Sequence, residues 1–403
     1  MKTAIVANFP VGPKFNGGAM TVWGLVNALI EKGDQIYLIL LCEKNTEKKI
    51  YTECINILAQ YNIKFEIIYF EEKKKNIFKK IKNFLISFFL KSPDYFFYEQ
   101  KKLNKELKKI FSREKFERIF CYHFDALSAC YTENKENIVC CLGDLIHEPR
   151  NNRRLILNNS LYSRIINYLE EKISNKIIKN MLHGFDKKGF YANHYYEKTK
   201  LQIKQTNYFR TSIIRPKNKV KYLEKNEKIS RVILIGDLSG TVTISSLYFL
   251  KDFLKYSNSS IINYFKFEIF GRGNLHRSLN DLKKIESVIF KGESNNLSNE
   301  FNNSCVLLAC NTIDVGIRVR IITALSHGIV VITHSSNLKG IPELEHNKNA
   351  LIFNNGNELS NILIKIKNNE IELRKISDEA IITFEKYFYF SNAFKNLENK
   401  IFK

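Results

Sequence analysis

Short apolar strands alternate with helical segments along the whole chain, and this alternation limits the fold more than any other feature. The first unit reads TAIVANFP, a glycine-bearing loop, the helical AMTVWGLVNALIEKG and the strand QIYLILL. A strand, a helix and a second strand in this order are typical of a βαβ unit with parallel strands. The same order begins again at RVILIGDL in the second half. The sequence therefore predicts an α/β protein with two parallel sheets.

A polar, lysine-rich stretch, RTSIIRPKNKVKYLEKNEKIS, separates the two halves. We place an N-terminal domain at 1–210, a linker at 211–228, a C-terminal domain at 229–384 and an aromatic terminal helix at 385–403 that packs back toward the N-terminal domain. A chain of 403 residues is long enough for two cores. Two Rossmann-like domains facing a central cleft would bind ligands at the carboxyl ends of their strands.

The charge of the chain favours anionic partners. Lys and Arg number 63 against 41 acidic residues, for a net charge of +22. Phosphates, acidic glycans, anionic lipids and nucleic acid would all suit this charge, although it also fits a composition rich in lysine throughout. Since the sequence carries no recognised nucleic-acid module, we expect no nucleic-acid partner. Hydrophobic residues at 44% exclude a disordered chain.

The cysteines and the N-terminus bear on localisation. No two of the eight cysteines are separated by the two residues typical of zinc and redox motifs. The N-terminal MKTAIVANF reads as a strand rather than a signal peptide, and no apolar run approaches the roughly 18–20 residues of a membrane span. We therefore expect reduced structural thiols in a cytoplasmic protein, either free or peripheral on the inner face of the cytoplasmic membrane.

Two arginines stand where a helix should begin. In GIRVRIITALSHGIVVIT, Arg318 and Arg320 precede an apolar run, with Asp314 as a candidate cap. Cations at a helix N-terminus oppose the helix dipole by about 0.3–1 kcal/mol each unless an anion binds there. A diphosphate would reverse the sign, because backbone amides and guanidinium groups would all point at it. The pattern predicts a diphosphate site.

The second half resembles the sugar-nucleotide-binding domain of GT-B glycosyltransferases of the family 4-like group. The likeness rests on VILIGDLSG, FEIFGRGN, VIFKGE and the stretch from CNTIDVGIRVR to NALIF. In one branch of that group Gly-x-Arg-x-Lys opens the donor-binding helix, and Gly316, Arg318 and Arg320 fall on it. The N-terminal GPKFNGGAMTVWGLVNALIEKG is similar to the family's first glycine loop and helix. The resemblance covers both halves, more loosely in the middle of the first.

The resemblance implies a glycosyltransferase that moves a sugar from a nucleotide-sugar donor to a bacterial surface glycan or a lipid-linked saccharide, with retention of configuration. It implies no cofactor and, with arginines in place of a divalent ion, no metal. It assigns donor contacts to Gly17 and Gly18 and a catalytic place near the donor sugar to His123. The glycines also fit a simple turn, and a lone histidine also fits a structural role.

Several positions depart from the family pattern. Two glutamates expected eight positions apart are Val315 and Thr323 here, and a threonine hydroxyl cannot replace a carboxylate that accepts two ribose hydroxyls. Either the nucleotide is held differently, or the donor is unusual, or the chain is a degenerate, non-catalytic subunit. Glu343 either takes over a hydroxyl contact or is a surface carboxylate. Because the usual cations after the first strand of this domain are missing, Arg272 becomes a third candidate for the phosphates.

Asp144 and His147 in CCLGDLIHEPR follow another apolar strand, and we assign them to the acceptor side. A separate segment at 73–92, KKKNIFKKIKNFLISFFLKS, combines lysines with aromatic residues at helical spacing. Its apolar face consists of Ile77, Ile81, Phe84, Leu85 and Phe88. Such a segment suits an anionic membrane surface, or else it packs on the N-terminal domain with a solvated lysine edge.

Overall fold

The computed structural model describes most of the chain and divides it into two compact units. The described residues are 1–12, 17–44, 48–71, 77–90, 100–130, 137–183, 185, 187–202, 208–210, 214, 228–294, 297–301, 304–314 and 316–401. The first unit comprises Met1–Arg215 together with Phe394–Lys403, and the second comprises Pro216–Ala393.

The first unit is built on a parallel sheet. Its strands are β1 (Lys2–Ala7), β2 (Gln35–Glu43), β3 (Lys64–Phe70), β4 (Arg118–Tyr122), β5 (Ile138–Leu142), β6 (Lys187–Phe190) and β7 (Tyr208–Arg210). Within the described residues they lie in the order β3-β2-β1-β4-β5-β6-β7, and every neighbouring pair is parallel. The strand order reverses between β1 and β4, which is where a doubly wound sheet opens a crevice at its carboxyl edge.

Helices cover both faces of this sheet. They are α1 (Gly17–Glu31), α2 (Lys48–Gln60), α3 (Ile77–Leu90), α4 (Gln100–Glu114), α5 (His123–Cys130), α6 (Glu148–Leu157), α7 (Leu161–Leu182) and α8 (Asn193–Gln202). The strands they cover are almost wholly buried, as parallel strands between two helical layers must be. All five residues of β4 and all five of β5 are buried.

The second unit repeats the plan. Its strands are β8 (Arg231–Ile235), β9 (Lys266–Phe270), β10 (Val288–Gly292), β11 (Cys305–Ala309), β12 (Val331–His334) and β13 (Leu351–Phe353), in the order β10-β9-β8-β11-β12-β13. Its helices are α9 (Thr241–Tyr256), α10 (Ser259–Ile262), α11 (Leu297–Glu300), α12 (Val319–Ser326), α13 (Gly356–Lys367) and α14 (Leu373–Tyr387), followed by α15 (Phe390–Ile401) and with 3-10 helices at Arg277–Lys284 and Ser335–Lys339. All neighbouring strands are again parallel.

These two sheets confirm the predicted α/β class with two Rossmann-like units. Because strand order in the second unit reverses between β8 and β11, its crevice lies where GDLSG and CNTIDVG follow these strands. Within the described ranges, no helix combines the length and the apolar character that crossing a membrane requires.

The C-terminus differs in detail from the single terminal helix predicted at 385–403. Helix α14 continues to Tyr387, and α15 begins only at Phe390. The turn between them places the ring of Phe388 in the interior, where it is 1% exposed. Glu398 of α15 forms an ion pair with Lys32, which follows α1. Of the predicted linker at 211–228, only Ile214 and Lys228 are among the described residues.

Candidate functional site

The carboxyl ends of β8 and β9 meet at one edge of the second sheet. A Cβ atom at Gly271, directly after β9, would lie 1.8 Å from the carbonyl oxygen of Gly236, directly after β8. The loops therefore touch backbone to backbone. Leu238 N donates a hydrogen bond of 2.8 Å to the carbonyl oxygen of Arg272. This bond fixes exposed Arg272 beside the GDLSG loop, at the edge where the sequence predicted phosphate contacts.

Arg320 is the second residue of α12, and its side chain extends to the same edge. Nη1 donates to the carbonyl oxygen of Ile235, the last residue of β8. Nη2 donates to Oδ1 of Asn311 at 3.2 Å. Nε is sealed from solvent and has no hydrogen-bond partner among the described residues. Burial, together with the charge of Arg318, lowers the pKa of Arg320 to about 10, so this guanidinium remains a cation at neutral pH.

Arg318 occupies the N-cap of α12, and no side chain caps the helix. The first turn of α12 contains no acidic residue. Asp314, which the sequence suggested as the cap, forms an ion pair with Lys339 instead. That expectation is wrong, because a cap must bond to the second or third amide of the helix and Asp314 lies four residues before the N-cap. The helix N-terminus thus meets two cations rather than a carboxylate.

Two glycines fix the path that leads to these arginines. Gly316 has a φ of +61°, in the left-handed region that favours glycine. A Cβ atom at Gly340 would lie 2.5 Å from the carbonyl oxygen of Gly316. The backbone at Gly340, which ends the 3-10 helix at Ser335–Lys339, therefore packs directly on the backbone at Gly316. The start of α12 depends on this close approach.

The two hydroxyl-binding candidates have different surroundings. Thr323 Oγ1 donates back to the carbonyl oxygen of Val319 at 3.0 Å, so its proton is already used within α12. Val315, the other position where the family carries a glutamate, lies outside the described residues. Glu343 lines a groove of about 340 Å³ along α14, together with Lys348 and Lys386. Its contact with a donor hydroxyl stays a prediction.

In the first unit, His123 stands at the carboxyl end of β4. It is the first residue of α5 and has a φ of +65°, an uncommon value for a residue other than glycine. Its ring packs on Gly143, where a Cβ atom would lie 2.0 Å from Cε1. The rings of Tyr122 and Phe9 stand beside it, with centroids 4.3 and 6.3 Å away. Burial lowers the pKa of His123 to about 4, which keeps the imidazole neutral at pH 7.

The other predicted residues of this unit are spread more widely. Gly17 and Gly18 are the first residues of α1, and the carbonyl oxygen of Gly17 accepts a hydrogen bond of 2.8 Å from Thr21. Asp144 is half-buried and follows β5 by two residues. His147 is 3% exposed, and its Nδ1 lies 2.9 Å from Oγ of Ser174 in α7. The acceptor role assigned to Asp144 and His147 stays a prediction, with His147 in the interior.

Two further residues belong to these strand ends, and sequence reasoning did not select them. Asn311 follows β11, is wholly buried, and holds the guanidinium of Arg320. Asp125 lies two residues after His123, and burial raises the pKa of its carboxyl to about 6. A signal existed for both, since each is a polar residue directly after a buried strand.

Comparisons with known proteins agree with this arrangement. TarM of S. aureus is 12% identical, has a TM-score of 0.69, and the match covers 100% of this chain and 99% of that one. The lipopolysaccharide outer core galactosyltransferase WaaB is 13% identical with a TM-score of 0.59, at 100% and 99% coverage. HepE of Anabaena, solved in complex with UDP, is 12% identical with a TM-score of 0.57, again at 100% and 99%. No curated protein sequence matches the chain.

The two sheets and these likenesses define a protein of the GT-B fold. Residues 230–369 match the family of glycosyl transferases group 1. That stretch contains β8, the GDLSG loop and α12 with both arginines, and through it the chain belongs to the group 1 glycosyltransferases.

Proposed function

We propose that the chain is a retaining glycosyltransferase that holds a nucleotide-sugar donor by its diphosphate and transfers the sugar to a saccharide or lipid-linked acceptor of a bacterial surface glycan. One observation carries the donor part of this proposal. The guanidinium of Arg320 is buried at the carboxyl ends of β8 and β11 and forms no ion pair with a carboxylate among the described residues.

The physical argument is one of charge balance. A buried cation without a counter-ion is costly, and a second cation at the same helix N-terminus adds repulsion. A diphosphate supplies the missing negative charge and accepts charge-assisted hydrogen bonds from guanidinium groups and from the amides of the α12 N-terminus. Titles of similar structures support this ligand class: HepE was solved with UDP and with UDP-glucose, and TarM with UDP and α-GlcNAc-glycerol.

In this proposal catalysis consists of positioning and of stabilising the leaving diphosphate. Arg318 and Arg320, with Arg272 as a third cation, neutralise the charge that develops on the phosphate as the glycosidic bond breaks. The departing phosphate then helps to deprotonate the acceptor hydroxyl on the same face of the sugar, so no protein nucleophile is needed. Neutral His123 acts as a hydrogen-bonding group near the sugar. We propose that these arginines make a metal ion and any other cofactor unnecessary.

A degenerate, non-catalytic subunit is the second candidate function. The observation that favours it is the family carboxylate replaced by Thr323, whose hydroxyl proton is occupied within its own helix. Such a subunit would bind no nucleotide sugar, whereas the proposed enzyme binds one through its phosphates. Donor binding therefore distinguishes the two.

The test is calorimetric titration of UDP and of a panel of nucleotide sugars. We expect Arg318→Ala and Arg320→Ala each to weaken nucleotide binding by about 1.5–3 kcal/mol, the scale of one charge-assisted hydrogen bond. Arg374→Ala removes an exposed arginine from α14 and serves as the matched control. Unchanged binding in both site variants would overturn the phosphate assignment. A wild-type chain that binds no member of the panel would support the non-catalytic subunit.

We further propose that the chain works at the cytoplasmic face of the membrane and that the segment at 73–92 contacts anionic lipid. Of this segment, 77–90 is described, as α3. Phe84 packs against the core of the first unit, while Leu85 and Phe89 are 48% and 71% exposed. The lipid-facing part of α3 would thus consist of the latter two. Leu85→Glu with Phe89→Glu tests this contact without disturbing the core.

A further inference from the structure

Helices α6 and α7 form a hairpin whose polar side faces inward. The buried residues in the first half of α7 are polar: Ser163, Asn167 and Glu170. Arg154 of α6 donates to Oδ1 of Asn167 at 2.7 Å and to Oε1 of Glu170 at 2.8 Å. Asn151 and Asn167 exchange side-chain to backbone bonds, each of 3.1 Å. Hydrogen bonds rather than apolar packing therefore hold this hairpin together.

The outward side of the same half-helix is apolar. Leu161 is 75% exposed, Tyr162 74%, Ile165 51% and Tyr168 57%. Residues at i, i+4 and i+7 share one face of a helix, so Leu161, Ile165 and Tyr168 form a continuous stripe with Tyr162 at its edge. A water-exposed helix should show the opposite pattern, with polar residues outward. An apolar stripe on the solvent side of a polar-cored hairpin marks a surface that some apolar partner covers.

Basic residues surround and continue this stripe. Lys172, one turn beyond Tyr168, places its Nζ 4.4 Å from the centroid of the Tyr168 ring. Lys176 and Lys179 extend the same face toward the end of α7, and both are exposed. Arg153 and Arg164 flank the apolar part and are also exposed. Between Glu148 and Glu170 the sequence contains no acidic residue.

We propose that this face, the α7 stripe (Leu161, Tyr162, Ile165, Tyr168 and Lys172), docks on the surface of a membrane that contains anionic lipid. The apolar and aromatic side chains enter the boundary between headgroups and acyl chains, and the flanking cations contact the headgroup phosphates. A second copy of the chain fits less well, since a two-fold interface across this face would bring like charges together. A soluble glycan offers no apolar layer for Leu161 and Ile165. The inference rests on the α7 stripe alone and does not depend on the proposed donor site.

The test uses the full chain and sedimentation with vesicles of phosphatidylcholine, with and without 30% phosphatidylglycerol (about a third anionic lipid, enough to set up a negative surface). We expect binding only to the anionic vesicles, and weaker binding at higher salt. Leu161→Glu with Ile165→Glu should lower the partition coefficient at least about tenfold, since it replaces two inserted side chains by anions. Lys172→Glu with Lys179→Glu should lower it as well and should flatten the salt dependence.

Tyr256→Glu provides the matched control. Tyr256 is 79% exposed and lies beside Lys255, but on α9 of the second unit. We expect this variant to bind vesicles like the wild type. Because every altered side chain is exposed, far-ultraviolet circular dichroism should be unchanged in all of them.

Three results would overturn the proposal. One is a wild-type chain that does not bind anionic vesicles. Another is unchanged binding in both α7 double variants, including the case in which only the Leu85 and Phe89 variant of α3 abolishes it. The third is light scattering that shows a wild-type dimer which Leu161→Glu with Ile165→Glu converts to a monomer without loss of vesicle binding, since the stripe would then be an interface between copies.

Discussion

Burial sets the charge of two residues at the strand ends, in opposite senses. It lowers the pKa of Arg320 only to about 10, so the guanidinium stays charged at pH 7. It lowers the pKa of His123 to about 4, so the imidazole is neutral at the same pH. The first group is suited to hold an anion, and the second to donate or accept a hydrogen bond without adding charge.

The neutral state of His123 predicts an acid-sensitive first unit. Its folded pKa of about 4 lies below the ordinary value of 6.5. As pH falls below 6.5, the unfolded chain takes up a proton that the folded chain refuses until about pH 4, so stability is lost as the solution becomes more acidic. Between pH 7 and pH 5 the loss from this one group should be roughly 2 kcal/mol.

Trp23 makes the loss measurable. It is the sole tryptophan of the chain and lies buried in α1 of the first unit. Urea unfolding followed by its fluorescence at pH 7 and pH 5 should show a smaller difference in His123→Gln than in the wild type. His183→Gln, at an exposed position after α7, is the control and should keep the wild-type difference. If the His123 variant kept it as well, the histidine would not be held neutral by burial.

At the scale of elements, the sequence predicted the strands and the phosphate-binding helix well. Apolar runs such as CVLLAC can only be buried strands, and a parallel sheet brings their ends together whatever else the fold does. What periodicity does not reveal is the partner of a side chain far along the chain. Arg320 bonds to Ile235, 85 positions away, and Asp314 pairs with Lys339. The outward apolar side of α7 was hidden for the same reason, because helical spacing does not say which side faces the core.

The contact between Gly340 and Gly316 gives a prediction at this scale. A Cβ atom at Gly340 would lie 2.5 Å from a backbone oxygen, which cannot move as a flexible side chain would. We expect Gly340→Ala to destabilise the second unit by about 1–3 kcal/mol and to weaken nucleotide binding, since the start of α12 must shift. Thermal melts followed by circular dichroism, with UDP titration, would measure both effects.

Gly356→Ala is the matched control for this variant. Gly356 begins α13, and the nearest atom to an added Cβ lies 3.7 Å away, an ordinary contact. Alanine there should be neutral or should stabilise by about 0.4–1 kcal/mol, because it restricts the unfolded chain. Equal melting temperatures for the two variants would contradict a tight approach at Gly340.

For the whole molecule, the net charge of +22 is distributed over two units with different uses for it. In the second unit the arginines of α12 lie at the strand ends, where a phosphate would bind. In the first unit the lysines and arginines of α7 surround exposed apolar side chains. Charge alone therefore did not identify a partner at the sequence level. Its placement in the structure suggests one small anion and one extended anionic surface.

The division into two units gives a final prediction, in which UDP stabilises the second unit. At a concentration 100 times its Kd, a ligand that binds only the folded state stabilises it by about 2.7 kcal/mol. Since Arg318, Arg320 and Arg272 all belong to the second unit, we expect UDP to raise the transition that circular dichroism assigns to that unit. The transition reported by Trp23, in the first unit, should keep its midpoint. A shift confined to the Trp23 signal would place the phosphates in the first unit and contradict the assignment. If both signals shifted together, the units would unfold cooperatively, and Arg320→Ala would then have to remove the common shift for the phosphate site to stand.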